Sequence, residues 1–528
     1  GCHNNAIGWS ALRSNTTGGN NNAIGECALC SNIAGCQNNA LGIYTLYTNT
    51  SGNFNNALGT GALTFNTTGC HNNAIGAYAL RCNTTACHNT AIGNSALRSN
   101  TTGGGNTAIG YRALCSNTTG HSNIAMGDAA MFGSLSGCYN FAAGNNALYS
   151  NWGGCFNTGI GCGALYSNTT GGYNAAIGKG ALYSNTTGTD NTAIGFANLT
   201  NNTTGSNNFG GGHQNLYSNT TGSSNTAIGY AAMWANTTGA NNVAIGTVAL
   251  QNNKTGIYNT AMGSYALQGS LSGCHNFAAG QYALCSNWGG CWNTAIGKSA
   301  LRCNTTGTYN TAIGLCALRS NTTGCYNTAI GCGNLPANTT GRSNLAIGFR
   351  AMLQNTTGCY NVAIGDHPLN SNTTGCCNTA IGNSALVYNT TGTRNIAIGP
   401  EVLNKNTTGS NNTALGRCTL YSNISGSNNT AIDDLALWGN TTGIRNIAVG
   451  SEALRYNTTG NHNIGLGAAA LAGCSSGSTA SCNIAFGLEA HRHSLSGHNN
   501  FAAGVASLCN NWGGCYNHAI GQYALCGN

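Results

Sequence analysis

The chain has 528 residues, of which 17 are Lys or Arg, 9 are Asp or Glu, 80 are Gly and 3 are Pro. Charged residues make up 5%, far below the ~25% of ordinary domains, so a formal charge of +8 is too thinly spread for a nucleic-acid surface. No run of ~18 apolar residues occurs, which excludes a helical membrane span, and Gly1-Cys2-His3-Asn4 already reads as repeat rather than signal peptide.

From the first residues onward the chain repeats one phrase, roughly Asn-Thr-Ala-Ile-Gly-x-x-Ala-Leu-x-x-Asn-Thr-Thr-Gly-x-x, with a period of 17 residues. Its anchor alanine falls at Ala6, Ala23, Ala40 and Ala57, and the phase holds to Gly465. One copy then carries three extra residues within 473–482, an inserted loop, before Ala485, Ala502 and Ala519 resume the step. A repeat of this kind cannot bury its apolar side alone and must stack on its neighbours. The two apolar runs per copy, Ala-Ile and Ala-Leu, are far shorter than the ~10 residues of a helix. The expected fold is therefore all-β, a parallel β-solenoid or β-roll of about 31 coils, each a strand, a turn, a strand and a turn. At ~4.8 Å per coil the array would be a rod on the order of 150 Å long. No linker or composition break interrupts it, so residues 1–528 read as one continuous domain.

Asparagine stands two places before the anchor in every copy, at Asn4, Asn21, Asn38, Asn55 and Asn72 and onward. Stacked one strand spacing apart, these amides can form a ladder. Glycine follows the strand everywhere except at Asp433, and closes Asn-Thr-Thr-Gly at Gly18, Gly35 and Gly52, with Ala86 as an exception. Both glycines are expected to supply positive φ at corners. Gly1 and Asn528 lie in the same turn of the repeat, which leads to the expectation that the segment is an excerpt of a longer chain or continues end to end in a filament.

Alternation along the strand turns Asn, Ala and Gly one way and Thr and Ile the other. One Ile and one Leu per coil make a thin interior, so either the small residues pack inside while Ile and Leu ridges meet other subunits, or the reverse. A homo-oligomer, most simply three parallel solenoids, follows as the expectation.

The phrase Asn-Thr-Ala-Ile-Gly-x-x-Ala-Leu, clear at Asn225 to Met233 and Asn310 to Leu318, resembles the head repeats of trimeric autotransporter adhesins. It is similar also to repeat arrays of phage tail-fibre-like proteins that end in a self-cleaving chaperone domain. The resemblance spans the chain and implies a trimeric β-roll used for attachment. The longer coil, the constant Asn-Thr-Thr-Gly turn and the cysteines depart from the adhesin pattern, and no stalk, anchor or chaperone domain is present in the sequence.

The 27 cysteines lack recurrent zinc spacing; Cys27 and Cys30 form the one Cys-x-x-Cys pair. Several fall one period apart: Cys70 with Cys87, Cys138 with Cys155, Cys274 with Cys291, Cys359 with Cys376, and Cys509 with Cys526. Stacked Cα atoms ~4.8 Å apart would suit disulfides between rungs, and Cys474 to Cys482 would close the inserted loop. The alternative is that small turn positions merely tolerate cysteine.

The second turn carries glycosylation sequons at Asn15, Asn66, Asn100, Asn117, Asn168, Asn185, Asn219 and Asn236, and again at Asn304, Asn321, Asn355, Asn372, Asn389, Asn406, Asn440 and Asn457. Facing outward in a glycosylating host these would carry a line of glycans; facing inward they would be a second Asn ladder. Threonine arrays raise ice binding as an alternative, although the tandem Thr-Thr sits at a corner.

Gly133-Ser-Leu-Ser-Gly, Phe141-Ala-Ala-Gly and Trp152-Gly-Gly recur at Gly269, Phe277 and Trp288, and again at Ser494, Phe501 and Trp512. Trp152, Trp288 and Trp512 could stack on surface glycans, with Arg13, Arg81, Tyr149, Tyr166, Tyr183 and Arg319 forming a cation-π strip; segmental duplication with aromatics bracing subunit contacts is the plainer account. No recurring acid pair or ligand cluster points to an enzyme, a metal or a cofactor. The sequence reads as an extracellular structural and adhesive fibre, with a virion or phage receptor-binding fibre as the alternative and an ice- or carbohydrate-binding solenoid as another.

Overall fold

A computed structural model describes residues 1–527, so the phase assigned to Asn528 lies outside the described residues. The chain divides into two compact units, Gly1–Ser264 and Tyr265–Asn528. The first holds sixteen short strands, from Asn5–Ile7 to Thr260–Met262, and the second fifteen, from Phe277–Ala279 to His518–Ile520. Within each unit every strand pairs in parallel with the strand one coil later and in unshifted register, as in Ala6↔Ala23 and Ala295↔Ala312. The register survives the 20-residue coil, where Ile464 pairs with Ile484. No helix occurs among the described residues.

Each coil has one strand rather than the two expected. The Ala-Leu run forms a turn in which the Leu is left-handed, with φ of 51° at Leu29 and 49° at Leu46. Consecutive residues of a strand face opposite sides, yet Ala28 and Leu29 are both fully buried, and only a change of backbone hand lets both point inward. The left-handed Leu costs ~1–2 kcal/mol, and burying its side chain returns ~1.5–3 kcal/mol. The turn is also tied to both neighbouring coils. Leu29 N–H donates to the Thr45 carbonyl and Ser31 N–H to Tyr47, each at 3.0 Å, whereas Cys27 N–H donates back to Trp9 at 2.8 Å.

The interior of a coil is therefore two alanines, a leucine and two asparagines: Asn21, Ala23, Ala28, Leu29 and Asn32 all have no exposed surface. In the first asparagine row, Asn38 Nδ2 donates to Asn21 Oδ1 of the preceding coil at 3.1 Å and to Gly52 O of its own coil at 2.8 Å, while Asn38 N–H also donates to Asn21 Oδ1 at 3.0 Å. The second row, the sequon asparagines, does the same: Asn32 Nδ2 donates to Asn15 Oδ1 at 2.8 Å and to Gly35 O at 2.9 Å. Unsatisfied, each buried amide would cost ~1–3 kcal/mol; here nearly every one is satisfied.

The glycine after the strand has the positive φ anticipated, 133° at Gly25. The glycine closing Asn-Thr-Thr-Gly does not, and its requirement is close approach instead. A Cβ on Gly35 would stand 2.4 Å from Asn32 Oδ1, 2.5 Å from Gly52 O and 2.6 Å from Asn49 Nδ2. Ala86 takes this place in one coil and still accepts from Asn72 and Asn83 at 2.8 and 3.0 Å; Ala480 does so in the 20-residue coil, accepting from Asn463 at 2.7 Å.

Candidate interaction surface

With Leu turned inward and the anchor Ala buried, the residue after the anchor is left outside. Ile24 is 41% exposed, and Ile75, Ile194, Ile245, Ile296, Ile330 and Ile398 are similarly open. The row runs through both units as Ile, Leu, Met or Val, broken only where it becomes Ala or Gly or, at Phe486, aromatic. Neither outward position flanking the anchor holds a Lys, Arg, Asp or Glu in any coil, and the charged residue within a strand is Asp366, at the exposed end of Val362–Asp366.

The breaks in this row are compensated. Where it holds Ala143, Gly211, Ala279 or Ala503, the outward residue two places earlier is Phe141, Phe209, Phe277 or Phe501. At Gly211 the geometry shows why: a Cβ there would lie 3.1 Å from Cε1 of Phe209, so the ring reaches over the vacated position. The strand face thus keeps its apolar cover whichever of its two outward residues supplies it.

Beside the Ile row, Asn5, Asn22, Asn39, Asn56 and Asn73 form a third amide ladder, partly open to solvent, with Nδ2 to Oδ1 distances of 2.7–2.9 Å. The periodicity could have revealed it, since these residues share one phase. In the tandem threonines the first hydroxyl donates to the next coil, as in Thr67 Oγ1 to Thr84 O at 3.0 Å and Thr186 Oγ1 to Thr203 O at 3.0 Å, so that row is already engaged.

Aromatic side chains at equal phase stack on one another. Phe132, Tyr149, Tyr166 and Tyr183 form a run with centroids 5.2, 4.9 and 4.8 Å apart, and Tyr139, Phe156 and Tyr173 form another. Rings stacked this way present edges, not faces, to solvent. The cation-π strip is local: Arg81 lies over Phe65 at 5.2 Å and Arg455 over Tyr456 at 5.0 Å. Trp152, Trp288 and Trp512 are each more than half exposed, and Trp512 stacks on His493 at 5.8 Å.

The sequon asparagines face inward. Asn66, Asn100, Asn117, Asn168, Asn185, Asn219, Asn236, Asn304, Asn321, Asn355, Asn372, Asn389, Asn406 and Asn440 have no exposed surface and Asn457 has 1%, while the half-buried Asn15 donates to Gly18 O at 3.0 Å. A glycan on any of these Nδ2 atoms would have to pass through the coil.

The rung-to-rung disulfides are not formed; all 27 cysteines are free. In four of the stacked pairs the later sulfur instead receives the earlier backbone N–H: Cys70 N to Cys87 Sγ and Cys359 N to Cys376 Sγ at 3.1 Å, Cys138 N to Cys155 Sγ and Cys274 N to Cys291 Sγ at 3.2 Å. Cys509 and Cys526, like Cys474 and Cys482, are thiols. Burial is the main cause pushing the thiols of Cys138, Cys291, Cys376, Cys474 and Cys509 up, which disfavours the reactive thiolate.

The second asparagine row is broken where Gly-Ser-Leu-Ser-Gly replaces Asn with Ser. The shorter side chain does not span the rung, and Asn117 Oδ1 and Ser134 Oγ are left buried without partners. At Ser494 a histidine, His491, replaces the inward Leu. Its Nε2 lies 3.5 Å from Asn511 Nδ2, its Nδ1 has no partner, and burial pushes its pKa down to about 4.

No protein-family model matches the chain, and comparison with curated proteins finds no significant relative.

Proposed function

We propose that the chain is a structural fibre element that associates laterally with further copies of itself through the strand face, in keeping with the attachment fibres its repeat resembles. The observation that carries this reading is the uncharged apolar row headed by Ile7, Ile24 and Leu41, left outside in coil after coil. Monomeric proteins seldom expose apolar patches beyond a few hundred Å². At roughly 70 Å² per open side chain, each unit offers on the order of 1,000 Å², more than the ~800 Å² per partner of a stable interface. A partner carrying the same spacing meets this row rung for rung, and the Phe-for-Ile exchanges keep its cover intact. Neither outward position beside the anchor carries a charge that would have to be desolvated.

Sedimentation of the full chain tests the proposal, with Ile347, Ile364, Ile381 and Ile398 changed together to Lys. The unaltered chain should sediment as an oligomer and the variant as a monomer with the same circular dichroism. A monomeric unaltered chain, or a variant that still assembles, would remove the basis for lateral association.

A further inference from the structure

The second unit contains one place where the outer surface of a coil is stripped of side chains. Residues 467–473 read Gly-Ala-Ala-Ala-Leu-Ala-Gly, so apart from the inward Ala470 and Leu471 the turn carries only Ala468, Ala469, Ala472 and Gly473. The coils on either side carry, at the same phases, matching ion pairs: Glu452 with Arg455 at 2.7 Å and Glu489 with Arg492 at 2.6 Å. Two strand spacings separate them, about 10 Å. The result is a cleft of ≈380 Å³ floored by Ala472 and Gly473, walled by the two arginines, closed at one side by Cys474 and Ser475 of the inserted loop and flanked by Trp512. That volume is within the ~300–1,000 Å³ of small-molecule sites.

The lining sets the chemistry of an occupant. Both arginines are already paired with a carboxylate, Glu452 within the lining and Glu489 outside it, so the positive charge of the walls is neutralised and a charged occupant gains little. Arg455 Nε is buried and has no partner, although its Nη1 is held by Glu452. Hydrogen-bond donors and acceptors side by side suit groups that are both, namely vicinal hydroxyls. Trp512, 55% exposed and stacked on the lining His493 at 5.8 Å, adds an apolar ring beside them.

We propose that this cleft binds one neutral pyranose unit of a glycan. The Arg455 and Arg492 guanidinia donate to ring hydroxyls, the Glu452 carboxylate accepts from them, and the Trp512 ring packs against the carbon-bound hydrogens. The inference is independent of lateral association, which uses the strand face on other side chains.

Saturation-transfer NMR on the full chain with the methyl glycosides of glucose, galactose and mannose, and with methyl glucuronide, tests it. At least one neutral glycoside should receive saturation. Ala472→Arg should weaken that binding at least tenfold, and its unfolding curve should be unchanged because arginine occupies this phase at Arg81, Arg98 and Arg302. Trp512→Ala should weaken it too. Absence of transfer to every neutral glycoside, binding of the glucuronide alone, or binding that survives both variants would each overturn the assignment.

Discussion

Asn21 and Asn32 donate to the same carbonyl oxygen, that of Gly35, at 2.8 and 2.9 Å. The two interior ladders of each coil therefore converge on one acceptor, which explains why both asparagines and the glycine recur together. The glycine lets the backbone approach closely enough for two amides to reach it, and the amides leave no room for a Cβ.

Asn202 is a member of the second row, donating to Asn185 Oδ1 and Gly205 O at 2.8 Å and accepting from Asn219 at 2.7 Å. Asn202→Ala strands two buried groups and should destabilise by about 2 kcal/mol, within the range for unpaired buried polar atoms. Asn39→Ala, in the outer ladder, should cost less than about 1 kcal/mol because water can replace the lost bonds. Amide exchange around each site measures both, and equal costs would contradict the distinction between inner and outer rows.

Asp433 occupies the corner that is glycine in the adjoining coils, with φ 93° against 124° at Gly416 and 122° at Gly450. Asp433→Gly should stabilise by about 1 kcal/mol, since left-handed backbone costs a residue with a Cβ about that much. The neighbouring Arg417–Asp434 pair at 2.9 Å is untouched by the change. A lowered melting temperature would show that the Asp433 Oδ1 contact with Asp434 N, 2.8 Å, outweighs the strain.

His491 is buried and neutral, with a pKa of about 4 against an ordinary 6.5. The unfolded chain takes up a proton that the folded coil refuses, so stability is full above about pH 6.5 and falls as pH drops from there toward 4. The loss approaches about 3 kcal/mol at the lower end. His491→Leu restores the residue found at this phase in most coils and should flatten the slope. Denaturant midpoints between pH 7.5 and 4.5 give the comparison, and parallel pH profiles for the two proteins would exclude His491 as the cause.

Folded chain recovered from a glycosylating host should carry unmodified Asn66, Asn168, Asn304 and Asn406, whose amides are fully engaged inside the coil. Peptide mapping reads this directly, and a glycan on any of them in folded material would contradict the inward ladder.

Period, parallel register and the stacking of like on like were legible because a one-residue slip would turn every side chain over; Ala6, Ala23 and Ala40 could align in no other way. The inward asparagines were legible only as one of two alternatives, since a sequon and a turn select the same residues. The cleft was not legible at all. It depends on Arg455 and Arg492 standing two coils apart across Ala472, a relation that includes the three inserted residues and so falls out of the plain period.

The stacked, all-β array was written into the repeat, because copies of identical spacing can bury their apolar residues only against one another. Which apolar residue goes inside depended on the folded coil. Ile and Leu are equally hydrophobic, and their separation follows from a left-handed turn that draws Leu29 into the axis and leaves Ile24 on a flat strand face, where the pleat points it outward.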